Sequence, residues 1–224
     1  MKKTALLCLL ALLLGCGSGF VLGQQSGGGG ASPPAGGAEM SISPLSPSVD
    51  QEAPAPEDNT ALLEAGSTVL QALRDGDIQA LSGLVHPERG VTFTPYSTVD
   101  PISDLTFLPD QLTEAAINRT QYVWGISQGG GGPIELSLQG YLDRYVYNAD
   151  YSSAPIIGVD SVISSGNSLE NVAEAYPDAR FLEYYFPSLD PSNNSFDWCA
   201  LKTVFVWSAG KYQLVALIHS EWTI

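Results

Sequence analysis

Basic residues are scarce in this chain. Nine Lys and Arg stand against 24 Asp and Glu, and His86 and His219 are the only histidines. Proteins hold nucleic acid through Lys and Arg that displace counterions from the phosphates, so a surface this acidic excludes nucleic acid as a partner. It argues equally against a polybasic contact with anionic lipid. Long apolar runs are missing too: the one from Ala5 to Leu14 spans about ten residues, short of the ~20 a membrane-crossing helix needs. The glycine run from Gly129 to Gly132 has no lysine after it and opens no Gly-Lys-Ser/Thr helix, which excludes a phosphate-cradling loop. Asp75-Gly76-Asp77 lacks the later ligands and closing glutamate of a calcium loop and reads as a turn. Cysteine is limited to Cys8, Cys16 and Cys199.

What is present at the N-terminus gives those cysteines their meaning. Lys2 and Lys3, the apolar stretch to Leu14 and the small residue Gly15 make a secretory signal. Leu13-Leu14-Gly15-Cys16 resembles the lipobox of bacterial lipoproteins, with Leu14 a mild departure. The resemblance implies a signal peptide over residues 1–15, a diacylated (palmitate-bearing) thiol on Cys16, and an extracytoplasmic protein held by that lipid to the membrane of the cell envelope. Cys8 then leaves with the signal peptide and Cys16 carries lipid, so no disulfide forms within one mature chain. Cys199, in Trp198-Cys199-Ala200-Leu201, sits in a strand-like run and is expected to be a buried, inert thiol. Losing Lys2 and Lys3 leaves seven basic residues against 24 acids, a net charge of −17.

Residues 16–57 have a linker's composition, with Gly27 to Gly30, Pro33-Pro34, Gly36-Gly37 and Pro44, Pro47, Pro54 and Pro56. Such a segment buries too little apolar surface to offset its ordering entropy. It is expected to be a tether spanning roughly 35 Å as a coil. Residues 58–224 suffice for one domain with one core.

The domain starts helical. Leu62, Val69, Leu70 and Leu73 recur at three- and four-residue steps until Asp75-Gly76-Asp77, and Asp77 caps a second helix carrying Ile78, Leu81, Leu84 and Val85 that His86-Pro87 stops. Val91 to Thr94 alternates as a strand. Pro109 to Asn118 reads as a helix with proline in its first turn, Tyr122 to Trp124 as a strand, and Gln139 to Tyr147 and Leu169 to Ala175 as helices. The last third carries the sheet, in Ala179 to Phe186, Phe196 to Trp207 and Tyr212 to Ile224, with a tight turn at Ala209-Gly210. Pairing Ser208 with Lys211 sets Ala200 against His219. It groups Cys199, Leu201, Phe205, Leu214, Ile218 and Trp222 on one face, and Trp198, Lys202, Leu217, His219 and Glu221 on the other. Both faces are largely apolar, so the hairpin is expected to be covered on both sides. The fold class is α+β: N-terminal helices packed on a curved, cone-like antiparallel sheet that ends in a β-hairpin.

This order of elements resembles the nuclear transport factor and ketosteroid isomerase superfamily. The wording at Leu81-Ser82, Val85-His86-Pro87, Gly90-Val91-Thr92-Phe93, Tyr122 to Gly125, Tyr141 to Tyr147, Asp197-Trp198 and the ending Leu217-Ile218-His219-Ser220-Glu221-Trp222-Thr223-Ile224 resembles uncharacterised bacterial envelope lipoproteins. The resemblance implies a fold and a location. No enzyme's motif aligns, so it supplies no catalytic residue and no cofactor.

The candidate ligand-pocket residues are therefore His86, Trp198, Lys202, His219 and Glu221. His86, His219 and Glu221 would form an acid–base group near neutral pH, or a two-histidine, one-carboxylate metal site, if the fold gathered them. The alternative is structural: His86 satisfies backbone groups at a helix end, His219 is a hydrogen-bonded strand residue, and the tryptophans are core. The functional expectation is a lipid-anchored, non-enzymatic module that binds a small ligand or another envelope protein. A cavity hydrolase or isomerase using His219 and Glu221, or an assembly accessory, are the alternatives.

Overall fold

A computed structural model describes residues 54–222 apart from 165, 167, 168, 194 and 195. The expected signal peptide, Cys16 and all of the expected tether before residue 54 lie outside the described residues, as do Thr223 and Ile224 of the C-terminal ending.

Helix α1 (Thr60–Asp75) buries Leu62, Val69, Leu70 and Leu73, the stripe its spacing predicts. Gly76 ends it in the left-handed conformation, where its N–H reaches the carbonyls of Ala72 and Leu73. Asp77 then caps α2 (Ile78–Leu84) by accepting the N–H of Ala80 at 2.8 Å. Gly66 faces the sheet: a Cβ there would run into the side chains of Leu182 and Tyr184, so the glycine lets α1 lie close.

Strands β1 (Val91–Thr94) and β2 (Leu105–Phe107) precede α3 (Pro109–Asn118), and β3 (Gln121–Ile126) and β4 (Pro133–Ser137) form a separate hairpin. A short α4 (Leu138–Tyr141) continues into a π-turn over Leu142–Val146, where a uniform helix is expected from sequence. Tyr147 N–H accordingly reaches five residues back to Leu142 O. Strands β5 (Ile156–Val159), β6 (Arg180–Phe186), β7 (Cys199–Ser208) and β8 (Lys211–Glu221) complete the main sheet, and the short α5 (Val172–Ala175) precedes β6. The sheet order is β2-β1-β8-β7-β6-β5, antiparallel throughout except that β1 runs parallel to β8. The fold is α+β, with helices on a curved, mostly antiparallel sheet that ends in a hairpin.

Ala209 and Gly210 turn that hairpin with φ of 53° and 73°, the two positive values of a type I′ turn. The register expected from the turn holds from Ser208↔Lys211 to Phe205↔Leu214 and then changes, because Val204 pairs with Ala216 and leaves Val215 as an extra residue. Every pair beyond it is shifted by one. Leu201, not Ala200, faces His219, and Lys202 faces Ile218.

The bulge corrects the expected faces. Leu201, Leu217, His219 and Glu221 share the side on which the helices pack. That side holds Phe93, Phe107, Leu182, Tyr184 and Phe205 in the main core. Lys202, Ile218 and Ser220 point to the opposite, outer side, where Val99, Val172, Phe181, Val204, Val206, Val215 and Ala216 form a smaller core. Both sides are covered, as the apolar pattern predicts.

Candidate functional site at the rim of the sheet

Aromatic rings fill the space between helices and sheet. Trp124 stacks on Tyr141 at 3.9 Å, Tyr141 stacks on Tyr145 at 5.2 Å, and Phe93 meets Phe107, Trp124 and Tyr141 edge-on. The indole N–H of Trp124 donates to Leu136 O at 2.9 Å, which satisfies the one polar atom of the largest fully buried ring. The row leads from the core to the end of β8, where the edge of Tyr145 meets the His219 ring at 5.5 Å.

A pocket of about 360 Å³ opens at that end. Tyr96, Ser97, Arg144, Tyr145, Glu221 and Trp222 are among its walls. The π-turn carries Arg144 to the strand end, where its two terminal nitrogens grip Glu221 at 2.7 and 3.0 Å. Its guanidinium also lies 4.5 Å from the centre of the Tyr145 ring. Two residues deeper on the same face, His219 Nε2 stands 3.3 Å from Glu221 Oε2. Neither ring nitrogen has a well-aligned hydrogen-bond partner. Burial pushes the Glu221 carboxyl up, but His219 and Arg144 outweigh it and hold the group at about 2. Opposite, the Tyr96 hydroxyl bridges the backbone N–H and carbonyl of Ile126 at 2.6 and 2.5 Å, and Ser97 Oγ meets Ser220 Oγ at 2.9 Å.

The five expected pocket residues do not gather. Glu221 lines the pocket, and His219 stands behind it, 1% exposed. Lys202 is on the outer side of the sheet, separated from both by the bulge at Val215. Trp198 shares that outer side by strand alternation, and its carbonyl accepts the N–H of Trp222 at 3.0 Å. His86 lies beside Leu214, whose carbonyl accepts its N–H at 2.9 Å. That is five residues from His219, roughly 16 Å along a strand. The Nδ1 of His86 accepts the backbone N–H groups of Glu88 and Arg89 at 3.2 and 3.1 Å, the helix-end role open to it from sequence. Thus the two histidines and Glu221 form no single site. Among the described residues no group of three His, Cys, Asp or Glu side chains is placed to hold a metal ion. Cys199 is buried, which pushes its thiol up.

Two features speak against acid–base chemistry at the rim. A general base works best with a pKa near the working pH, and Glu221 is held far below it. The carboxyl most clearly raised, Asp104 at about 6 through burial, is not among the pocket walls. Arg144, Tyr96 and Tyr145 were missed from sequence. The available signal was Arg144 set between two tyrosines of an apolar helix face.

No family model and no curated protein matches the chain. Solved structures similar to it include an NTF2-like protein from Cytophaga hutchinsonii (12% identity, 74% of this chain and 99% of that one, TM-score 0.35). A protein of unknown function from the DUF3225 family of Pectobacterium atrosepticum is similar at 10% identity over 73% of this chain and 89% of that one, with a TM-score of 0.35. A protein with a cystatin-like fold from Caulobacter vibrioides is similar at 8% identity over 74% and 90%, with a TM-score of 0.36. The fold is defined here by the chain's own sheet order. Among the described residues no helix is long and apolar enough to cross a membrane.

Proposed function

We propose that this protein is a lipid-anchored bacterial cell-envelope protein whose domain binds a small ligand at the rim pocket without turning it over. The observation that carries the binding role is the preformed wall of Arg144, Glu221 and Tyr145, each fixed by the others before any ligand arrives. Preorganised polar groups beside aromatic surface suit a small molecule with hydrogen-bonding groups around a flat or apolar face. The non-enzymatic character is supported by the low pKa of Glu221 and the seclusion of His219.

Ligand-observed NMR of the full chain in detergent, screened against small saccharides and hydroxylated aromatics, tests the binding role. Bound compounds are expected to be lost from both Arg144→Ala and Tyr145→Ala. Hits indifferent to both changes would remove the pocket from the reading, and chemical turnover of a hit that stops in Glu221→Gln would replace the binding module by an enzyme. The anchor rests on Gly15-Cys16 after an apolar run, and labelling with a fatty acid checks it. Wild type is expected to take up label and Cys16→Ser none.

A further inference from the structure

The outer face of the sheet holds a second charged cluster, joined to the rim pocket through Ser220. Lys202 on β7 and Glu183 on β6 face each other in register and are both fully buried. Lys202 Nζ donates to Ser220 Oγ at 3.2 Å, and lies 3.5 Å from Glu183 Oε1 and 2.6 Å from Glu170 Oε2. Glu183 is fixed: it accepts the backbone N–H groups of Ile163 at 2.6 Å and Ser164 at 3.1 Å, and the hydroxyl of Ser164.

Glu170 is held differently. Both of its carboxyl oxygens are buried and neither accepts a hydrogen bond, although Nζ stands 2.6 Å from one of them. The amine therefore meets this carboxyl at short range but off the hydrogen-bonding line. Burial pushes the Glu170 carboxyl above its usual range, Lys202 opposes that shift, and the Glu183 charge adds to it. By strand alternation and register, the neighbours of Lys202 on the same face are Ala200, Val204, Tyr185 and Ile218.

An amine pressed against a carboxyl, away from water and beside a second carboxyl able to move protons, is arranged to condense. In bulk water the separated ions are the favoured state. Desolvation disfavours the ions, and fixed contact replaces a bimolecular encounter by an effective molarity of ~10⁵ M or more.

We infer that Lys202 and Glu170 form an intramolecular amide, with Glu183 as the proton carrier. Lys202 Nζ attacks Cδ of Glu170, and a C–N bond forms. One ammonium proton passes first to the Glu170 carboxylate, so that a neutral amine attacks a neutral acid, and Glu183 then takes a second proton from the nitrogen and delivers it to the departing hydroxyl. The C–O bond breaks and that oxygen leaves as water. An ammonium and a carboxylate become one amide and one water, with no change of oxidation state and no co-reactant. The bond ties the segment between β5 and β6 to β7. Because Cys199 is the one cysteine among the described residues, no disulfide within them provides such a tie.

Peptide mass analysis of the full chain tests the inference directly. Trypsin does not cut after an acylated lysine, so peptide 181–211 is expected to appear joined to peptide 145–180, at about 18 Da below the sum of the two. The joined pair should be missing from Glu170→Ala and Lys202→Met. In Glu183→Gln it should form, after refolding, ~100-fold or more slowly. Free peptide 181–202 as the dominant product from folded wild type would overturn the inference, and this arm does not depend on any variant folding. An unchanged rate in Glu183→Gln would overturn the role of Glu183.

Discussion

The two sides of the main sheet both carry charged groups, yet they treat them in opposite ways. On the helix side, Glu221 pairs with a half-exposed Arg144 at an open rim. On the outer side, Lys202 and Glu183 are sealed from water. Exposed pairs contribute little to stability and leave charge available to a ligand, whereas a sealed charge makes the fold depend on its partners. The rim is thus suited to recognition, and the outer cluster to holding a covering segment in place.

The bulge at Val215 sets which charge goes to which side, and breaking it should have the largest effect. Deleting Leu217 would exchange the faces of Ile218, His219, Ser220 and Glu221 and is expected to abolish cooperative folding. Deleting Val215 only regularises the ladder, keeps every later residue on its side, and should leave a folded domain of lower melting temperature. Circular dichroism melts of the two deletions separate these outcomes.

The next effect sharpens the contrast between sealed and exposed charge. Lys202→Ala removes the tie to Glu170 and the buried nitrogen that faces Glu183, and should cost about 3–5 kcal/mol in denaturant unfolding. Ile218→Ala, directly opposite it in register, should cost about 2–4 kcal/mol as a core truncation. Arg144→Ala at the rim should cost about 1 kcal/mol or less at neutral pH.

The rim should instead reveal itself in acid. Glu221 is held at about 2, below its ordinary 4.5, so its contribution is complete above pH ~4.5 and is lost as pH falls toward 2. On the order of 2 kcal/mol is expected to disappear over that window. Glu221→Gln should remove that slope, and His219→Ala should reduce it, in unfolding measured from pH 5 to pH 2. Asp104 supplies the opposite sign. Its folded value of about 6 exceeds the ordinary 3.8, so it favours the folded state at low pH and that benefit is lost as pH rises through 6. Asp104→Asn should flatten this smaller slope, of about 1 kcal/mol between pH 4 and pH 7.

Much of the helix side was legible in the sequence, because periodicity and capping are local signals. The α1 stripe, the Asp77 cap, the Pro109 start and the Ala209-Gly210 turn all rest on residues close in the chain. The bulge was not legible, since Val215-Ala216-Leu217-Ile218 is apolar throughout and offers no polar residue to mark a slip. Strand β2 is three residues long and β5 follows a proline, so neither shows a period. The Arg144–Glu221 contact joins residues 77 apart in sequence, which no local pattern announces. Glu183 and Lys202 did leave a trace, each a charge in the interior of an otherwise aromatic or β-branched strand. Opposite signs in two such strands point to a buried pair once the strands are taken as neighbours.

The smallest expected effect lies in the turn between the two strands. Ala209 adopts a positive φ that costs a residue with a side chain roughly 1 kcal/mol. Ala209→Gly should therefore raise stability by about 0.5–1 kcal/mol in denaturant unfolding, without moving charge on either side.

The parallel pairing of β1 with β8 also bears on when the chain can fold. Thr92 lies beside Ala216 and Thr94 beside Ile218, so the sheet closes across more than a hundred intervening residues. Strand β8 lies between β1 and β7, so an emerging chain lacks an inner strand of its sheet until residue 221 has appeared. Long-range closure of this kind is slow. A chain so wired stays open while it is being made.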